Sequence, residues 1–149
     1  MLAFDSPPLG SDLEVAGPVR ARMFISCDCR DTDLWVRLLD VAPDGRAYNV
    51  MSPGLDAVRA SYRDVSRGRQ LLDPGTIYEI RLDHLVTANV FRKGHRIRVQ
   101  VSSTFFPNFS RNLHTGELET ASGRMKTATI RVHHDREHPS QISVHVADQ

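Results

Sequence analysis

Short runs of alternating apolar and polar residues dominate this chain. In the segment HRIRVQVSS (95–103), Ile97, Val99 and Val101 alternate with polar side chains. The same period of two predicts inward-facing residues in three further strands: Tyr78, Ile80 and Leu82; Ala128, Ile130 and Val132; Ile142, Val144 and Val146. This is the period of a strand with one buried and one wet face. No apolar stripe of helical period is long enough to organise a fold, so the chain is predicted to be all-β.

The segment LWVRLLDV (34–41) breaks this pattern because both of its faces are apolar. The residues are Trp35, Leu39 and Val41 on one face and Leu34, Val36 and Leu38 on the other. We therefore predict a central strand that is covered on both sides. Trp35 is the only tryptophan, so a platform of exposed indoles that stack on sugars cannot be assembled, and a core role is favoured for it.

Turn sequences separate the predicted strands. They are Pro43-Asp44-Gly45, Asp73-Pro74-Gly75 and Lys93-Gly94. The segment 51–72 is rich in Arg, Ser and Gly, and it predicts a long irregular crossover with one short strand around Val58 to Arg63. Short strands joined in this way are typical of an antiparallel β-sandwich, and long crossovers are typical of Greek-key and jelly-roll topologies.

Length and charge narrow both the fold and the function. The 149 residues suit a single domain, 1–149, that can bury a core without metals or disulfides. A net charge of +1 gives no positive electrostatic field that would attract nucleic acid or an anionic membrane. No apolar run approaches the roughly 20 residues of a membrane span, and no signal peptide is recognisable, which predicts a cytoplasmic protein. Met1 directly precedes the body of the domain, as expected for a fragment of a longer protein.

Cys27 and Cys29 are the only cysteines, and their spacing puts both on one face of a strand. Their Cα atoms then lie about 6.6 Å apart, near the upper limit for a disulfide. They share the inward parity of four residues before them: Val19, Ala21, Met23 and Ile25. We predict two packed, reduced thiols, and a reactive or metal-binding pair and a disulfide bridge stay open as alternatives.

Catalytic chemistry is missing from the sequence. A serine hydrolase of the α/β type presents its nucleophile on a G-x-S-x-G elbow between a strand and a helix, and no such pentapeptide exists here. Glycine-rich phosphate loops are not found either. We therefore predict no catalytic residue and no cofactor in this chain.

Two polar clusters contain the residue types of metal sites. They are His133, His134 and His138 with Asp135, and Asp28, Asp31 and Asp33. Zinc needs three or four converging ligands, so the histidine cluster is interpreted as a polar turn that joins the last two strands. Calcium binds hard carboxylate oxygens, but Asp is also an ordinary turn former. No metal site is predicted, and calcium stays open as the alternative.

Three stretches together resemble one protein family. They are SDLEVAGPVRARMFIS (11–26), LLDVAPDGRAYNV (38–50) and TANVFRKGHRIRVQVSSTFFPNFSRNLHTG (87–116). They are similar to the C-terminal domain of the X-Pro dipeptidyl-peptidase and cocaine-esterase type serine hydrolases. The most specific part is GHRIR (94–98), followed by Phe106-Pro107 and Arg111-Asn112. One departure is Leu85-Val86, where the family often carries Trp-Pro, and it leaves the substrate subclass open.

This resemblance implies a jelly-roll sandwich of the galactose-binding-like type that follows an α/β-hydrolase domain. That domain of the same parent protein is the expected partner, and it would hold the catalytic Ser, Asp and His. The chain alone is expected to be inactive and to act by packing on its partner and shaping the substrate cleft. Ester and X-Pro peptide substrates both stay open, as does a homodimer. A free carbohydrate-binding module of the same fold and a stand-alone interaction protein are the alternatives.

The run SSTFFPNFSRNLHTG (102–116) changes abruptly from aromatic to polar. By strand parity, at least one of Phe105 and Phe106 is expected to fill the core. Phe109, Arg111 and Asn112 are the candidate contact residues, which we expect to form or brace the surface that meets the hydrolase domain.

Overall fold

The computed structural model describes residues 1–121 and 123–147, which form two antiparallel sheets packed face to face. The strands of these ranges are β1 (Leu2–Asp5), β2 (Leu13–Cys27), β3 (Asp33–Val41), β4 (Ala47–Asn49), β5 (Asp56–Arg59), β6 (Tyr78–Phe91), β7 (Arg96–Ser102), β8 (Ile130–His133) and β9 (Gln141–Ser143). The first sheet has the order β1-β7-β3-β4, with β5 also on β3. The second has the order β6-β2-β8, with β9 also on β2. The predicted all-β sandwich is confirmed.

Helical structure in the described ranges is limited to two 3-10 turns. They cover Ala60–Tyr62 and Val65–Arg67, both in the long segment between β5 and β6. No helix among the described residues is long and apolar enough to cross a membrane.

Two pairs of short strands lie end to end. β4 and β5 both run antiparallel to β3, while β8 and β9 both run antiparallel to β2. Phe24 of β2 pairs with His133, and Arg22 pairs with Gln141. The polar segment between β8 and β9 therefore interrupts one extended run of chain and does not reverse its direction.

The core lies between the sheets in two clusters of buried side chains. The first centres on Ile25, Leu34 and Ile80, and the second on Leu38 and Phe91. Each cluster draws from both sheets, since β2 and β6 belong to one sheet and β3 to the other. Full burial of one such side chain contributes roughly 1.5–3 kcal/mol. These contacts hold the two sheets face to face.

The alternation of the sequence identified most of these inward faces. All six apolar residues of 34–41 are buried, which confirms a strand covered on both faces. Ile142 and Val144 pack against the core, but Val146 is 48% exposed, so the prediction is wrong for Val146. Val146 lies beyond the end of β9 at Ser143, where only an isolated bridge to Val15 continues the pairing with β2. The crossover strand β5 spans Asp56–Arg59, so the predicted strand Val58 to Arg63 is correct only for its first two residues, and a 3-10 turn follows at Ala60–Tyr62.

The two ends of the sandwich differ in the length of their connections. At one end, β3 joins β4 through residues 42–46, and β6 joins β7 through residues 92–95. The other end gathers three segments, 28–32, 60–77 and 103–129, which we call the loop end. Their strands finish at the same level because Cys27 pairs with Ile130 and Asp33 pairs with Arg59. The aromatic-to-polar run 102–116 lies at the loop end.

Candidate domain-contact surface

A buried carboxylate ties two segments of the loop end together. Asp31 is 1% exposed and accepts hydrogen bonds from the backbone N–H of Thr32 at 2.9 Å and of Ser61 at 3.1 Å. It also accepts from the hydroxyl of Ser61 at 2.8 Å and from Nη2 of Arg69 at 3.3 Å. Buried charges are stable in proteins only when they are bonded in this way. Asp31 therefore joins segment 28–32 to segment 60–77.

An ionic chain joins the third segment to the same place. Arg59 bonds Oδ1 of Asp33 at 2.8 Å and Oε1 of Glu119 at 2.5 Å, and all three side chains are about one-quarter exposed or less. The hydrogen bond that Arg59 donates to Asp33, together with its contact with Glu119, raises the pKa of Arg59 above its ordinary value, although burial works against the charge. The bond from Arg59 lowers the pKa of Glu119. Segment 103–129 is thus anchored to the start of β3 and the end of β5.

The polar half of the run 102–116 is held against the neighbouring loops by hydrogen bonds and close packing. Asn112 donates from Nδ2 to Asp33 at 2.9 Å and accepts at Oδ1 from the backbone N–H of His114 at 2.9 Å. Gly116 has φ of +83°, and a Cβ there would come within 3.2 Å of Arg30 and Leu71. Only glycine combines that dihedral angle with so close an approach. The change from aromatic to polar residues therefore marks the point where the chain packs against segments 28–32 and 60–77.

The aromatic half of the run lies outside the core. Phe105 is half-buried, and its ring meets the ring of Trp35 edge-on, with the centroids 5.5 Å apart. Trp35 also donates from Nε1 to the backbone oxygen of Thr104 at 2.7 Å. Phe106 is 59% exposed and Phe109 is 50% exposed. The prediction that Phe105 or Phe106 fills the core is wrong, because β7 ends at Ser102 and the chain then turns onto the outer face of β3.

A cleft of about 740 Å³ opens beside Phe106. Its walls include Phe105, Phe106, Arg111, His114, Met125 and Lys126. The guanidinium of Arg111 lies 4.6 Å from the centre of the Phe106 ring, at the distance of a cation–π contact. A second cleft, of about 220 Å³, lies between Trp35, Phe105 and Phe109. The loop end therefore presents aromatic and cationic side chains around two open clefts.

The three candidate contact residues occupy different positions on this surface. Phe109 and Arg111 are exposed, whereas Asn112 is half-buried and makes both of its bonds inward. In this chain Asn112 therefore braces the loop, and Phe109 and Arg111 are available to another surface. Contact of any of them with a catalytic domain stays a prediction.

The two thiols lie in the core, as predicted. Cys27 and Cys29 are free and buried, and Sγ of Cys27 donates to the backbone oxygen of Cys29 at 3.0 Å. A hydrogen bond with the Cys29 side chain lowers the pKa of Cys27 to about 7 despite burial, and the same bond raises the pKa of Cys29. Their thiols are closed off from solvent by the packing of the first core cluster.

The two polar clusters are each used internally. Asp28 accepts from the backbone N–H of Thr129, whereas Asp31 and Asp33 bind the separate partners described above, so these three carboxylates do not converge. Among the described residues, no group of three or more His, Cys, Asp or Glu side chains is placed to hold a metal ion.

The histidines lie on or beside the segment that interrupts β8 and β9. Nε2 of His133 is 2.9 Å from the hydroxyl of Ser26, and the ring of His138 packs edge-on against Phe24. Oδ1 of Asp135 accepts from the backbone N–H of His138 at 2.8 Å, which closes the segment as a turn. These bonds account for the polar composition of the segment.

Sequence reasoning missed the residues that hold the loop end together. The sequence indicates a turn former or a calcium ligand at Asp31 and not a buried link between loops, and Arg59 and Glu119 carry no local signal because they are far apart in the chain. Gly116 had a detectable signal, since a glycine that closes a polar run often marks a backbone with positive φ.

The chain is a β-sandwich domain whose loop end carries exposed aromatic and basic side chains. Its sequence contains no nucleophile elbow. The sequence matches the family described as the X-Pro dipeptidyl-peptidase C-terminal non-catalytic domain over residues 1–143. The chain belongs to this family, which confirms the resemblance stated above.

Similar proteins are much longer than this chain. The cocaine esterase of Rhodococcus sp. (strain MB1 Bresler) is 43% identical over 144 residues, which cover 95% of this chain and 25% of that protein. The structure of an alpha-amino acid ester hydrolase matches with a TM-score of 0.87 and 31% identity, over 98% of this chain and 25% of that one. An aminopeptidase from the marine sediment archaeon Thaumarchaeota archaeon matches with a TM-score of 0.86 and 31% identity, over 99% and 26%. The chain therefore spans about a quarter of each of these relatives.

Proposed function

We propose that the chain is the non-catalytic C-terminal domain of a serine hydrolase of the α/β-hydrolase type. It packs on the catalytic domain through its loop end and shapes one wall of the substrate cleft. It acts by position, because holding a substrate in a reactive geometry lowers the barrier without any chemical group from the domain. Its jelly-roll, galactose-binding-like topology is part of the same proposal.

One observation carries this proposal: four large apolar side chains of a single segment are exposed. In segment 103–129, Phe106 is 59% exposed, Phe109 50%, Leu118 47% and Met125 62%. Phe106 and Met125 line one cleft and Phe109 the other, with Phe105 in both, and exposed apolar surface gathered in this way marks a site of interaction in soluble proteins. The long relatives supply a partner, since three-quarters of each lies outside the part that matches this chain.

The loop end also has the rigidity that a docking surface needs. Asp31 and the pair Arg59 and Glu119 hold the three segments together within this chain. A surface that is ordered before contact loses less conformational entropy when it binds. The parent activity is then ester hydrolysis, as the names of the cocaine esterase and the alpha-amino acid ester hydrolase suggest for those proteins, or cleavage after an X-Pro unit, as the name of the family suggests.

The test compares the chain with its parent polypeptide, in which it follows the catalytic domain. The double variant Phe106→Ser and Phe109→Ser should leave the melting temperature of the isolated chain nearly unchanged, because both rings are at least half exposed. In the parent polypeptide it should lower the melting temperature and the turnover of p-nitrophenyl acetate or of a Gly-Pro-anilide.

The matched control is Tyr48→Ser, because Tyr48 is 52% exposed on β4. This residue lies at the end of the sandwich opposite the loop end. Equal behaviour of the control and the double variant in the parent polypeptide would contradict the proposal. So would a parent polypeptide that tolerates the double variant without loss of stability or activity.

A further inference from the structure

Basic side chains line the cleft beside Phe106. Arg111, His114 and Lys126 line it, and no Asp or Glu of the described residues does so. Arg111 has no carboxylate partner in the part of the chain that the structure describes, and its contact there is with the Phe106 ring. Three acidic side chains of the loop end are bonded elsewhere: Glu119 to Arg59, Asp33 to Arg59 and Asn112, and Asp28 to the backbone N–H of Thr129, although Asp28 also interacts with the charge of Lys126.

The loop fixes the position of Lys126. Nζ of Lys126 donates to the backbone oxygen of Asp28, and the backbone N–H of Lys126 donates to Leu113 at 3.0 Å. His114 bonds the backbone oxygen of Lys126 through Nδ1 at 3.0 Å. None of these contacts uses a carboxylate. The cleft thus combines basic side chains with the apolar groups Phe106 and Met125.

The guanidinium of Arg111 is prepared for a carboxylate. Its contact with Phe106 is made with the ring face, 4.6 Å from the centroid, which leaves its N–H donors without an acceptor among the described residues. Arginine presents five donors in a fork that matches the two oxygens of a carboxylate, and stacking on an aromatic ring holds that fork in one orientation.

We infer that this cleft receives a carboxylate-bearing segment of the catalytic domain, with an Asp or Glu side chain bonded by Arg111 and its neighbouring apolar residues against Phe106 and Met125. The inference rests on the proposed function and adds the chemistry of the partner to it. Charge complementarity across an interface fixes the register of the two surfaces and excludes wrong ones. The cleft, at about 740 Å³, has room for a few side chains.

Zero-length cross-linking tests this inference in the parent polypeptide. A carbodiimide joins an amine to a carboxylate only when the two are in contact, so Arg111→Lys places a reporter amine at the site, and Lys126 of the unmodified protein is a second reporter. We expect mass spectrometry to find residue 111 joined to an Asp or Glu of the catalytic domain. The cross-link should be lost in about 1 M salt, where the Debye length falls to about 3 Å.

Arg136→Lys is the matched control, because Arg136 is exposed in the segment between β8 and β9, away from the loop end. It should give no cross-link to the catalytic domain. Cross-links from residues 111 and 126 that stay within this chain, or no cross-link from either, would overturn the inference. A melting curve of Arg111→Lys like that of the unmodified protein shows that the variant is folded, and Lys126 reports independently of it.

Hydrogen–deuterium exchange separates this inference from the proposed function. Protection of residues 103–115 in the parent polypeptide, relative to the isolated chain, reports docking of the loop end whatever its chemistry. Protection without a cross-link overturns the carboxylate contact and leaves the docking proposal intact. Absence of protection overturns the docking proposal, and the carboxylate contact with it.

Discussion

Removal of the Asp31 carboxylate should unfold the loop end at lower denaturant concentration than any surface substitution. In Asp31→Ala, the backbone N–H and the hydroxyl of Ser61 lose their acceptor. Ser61 is 0% exposed, so water cannot replace the lost bonds. Arg69 loses its carboxylate partner at the same time. The variant therefore leaves a buried polar site without its central group.

The size of the loss follows from these contacts. A buried donor left without an acceptor costs about 1–3 kcal/mol, and removal of one partner of a buried ion pair costs about 3–5 kcal/mol. Arg69 is 24% exposed and can turn to water, which reduces its share. We expect a total loss of about 3–5 kcal/mol in the free energy of unfolding. For a chain of this size, that is a fall of about 6–20 °C in the melting temperature.

Urea unfolding, followed by circular dichroism and by the fluorescence of Trp35, measures this loss. Asp31→Asn is the isosteric control, because its amide oxygen can still accept from Ser61 and Thr32, whereas its amide N–H faces Arg69. It should lose less stability than Asp31→Ala. Asp83→Ala is the surface control and should change the free energy of unfolding by about 0.5 kcal/mol or less. If Asp31→Ala loses no more stability than the surface control Asp83→Ala, the reasoning is refuted.

Two further predictions concern acid stability and the thiols. Because Arg59 lowers the pKa of Glu119 below its ordinary value of 4.5, this carboxylate stabilises the fold above that pH and the contribution is lost as pH falls through the lower, folded-state pKa. Between about pH 6 and pH 3, the free energy of unfolding measured in urea should therefore fall more steeply for the unmodified chain than for Glu119→Gln. Equal pH dependence of the two proteins would contradict this prediction. Cys27 and Cys29 should react slowly with a thiol reagent in the folded chain and give two thiols in denaturant without reductant. Fewer than two would indicate a bridge.

The strands could be predicted because their signal is local. In β3, the two apolar faces lie side by side in the sequence, and in β7 the alternation of Ile97, Val99 and Val101 gives the face that packs against the core. The signal disappears where a strand is short or exposed. All residues of β1 are exposed, so its sequence has no apolar alternation to reveal that it pairs with β7.

The construction of the loop end could not be predicted because it depends on contacts between distant residues. Asp31 meets Ser61, and Asp33 meets Asn112, only after the sheets have brought the three segments to one level. Strand parity also fails beyond Ser102, where β7 ends, and Phe105 consequently packs on the outer face of β3. The resemblance to a family supplied the fold and the type of partner, but not which side chains are exposed.

The exposure of Phe106 and Phe109 is informative because the segment that carries them is fixed. A connection as long as 103–129, whose described residues form no helix or strand, is ordinarily mobile or functional. Here it is bonded to its neighbours along its length, through Asn112 to Asp33 and through Glu119 to Arg59. An apolar ring on a mobile loop can fold back onto its own domain, whereas these rings are held away from the core by bonds made elsewhere in the segment. The conformational entropy of the segment is therefore already lost in the isolated domain. Contact with a partner surface then loses little further entropy and gains the free energy of burying the rings.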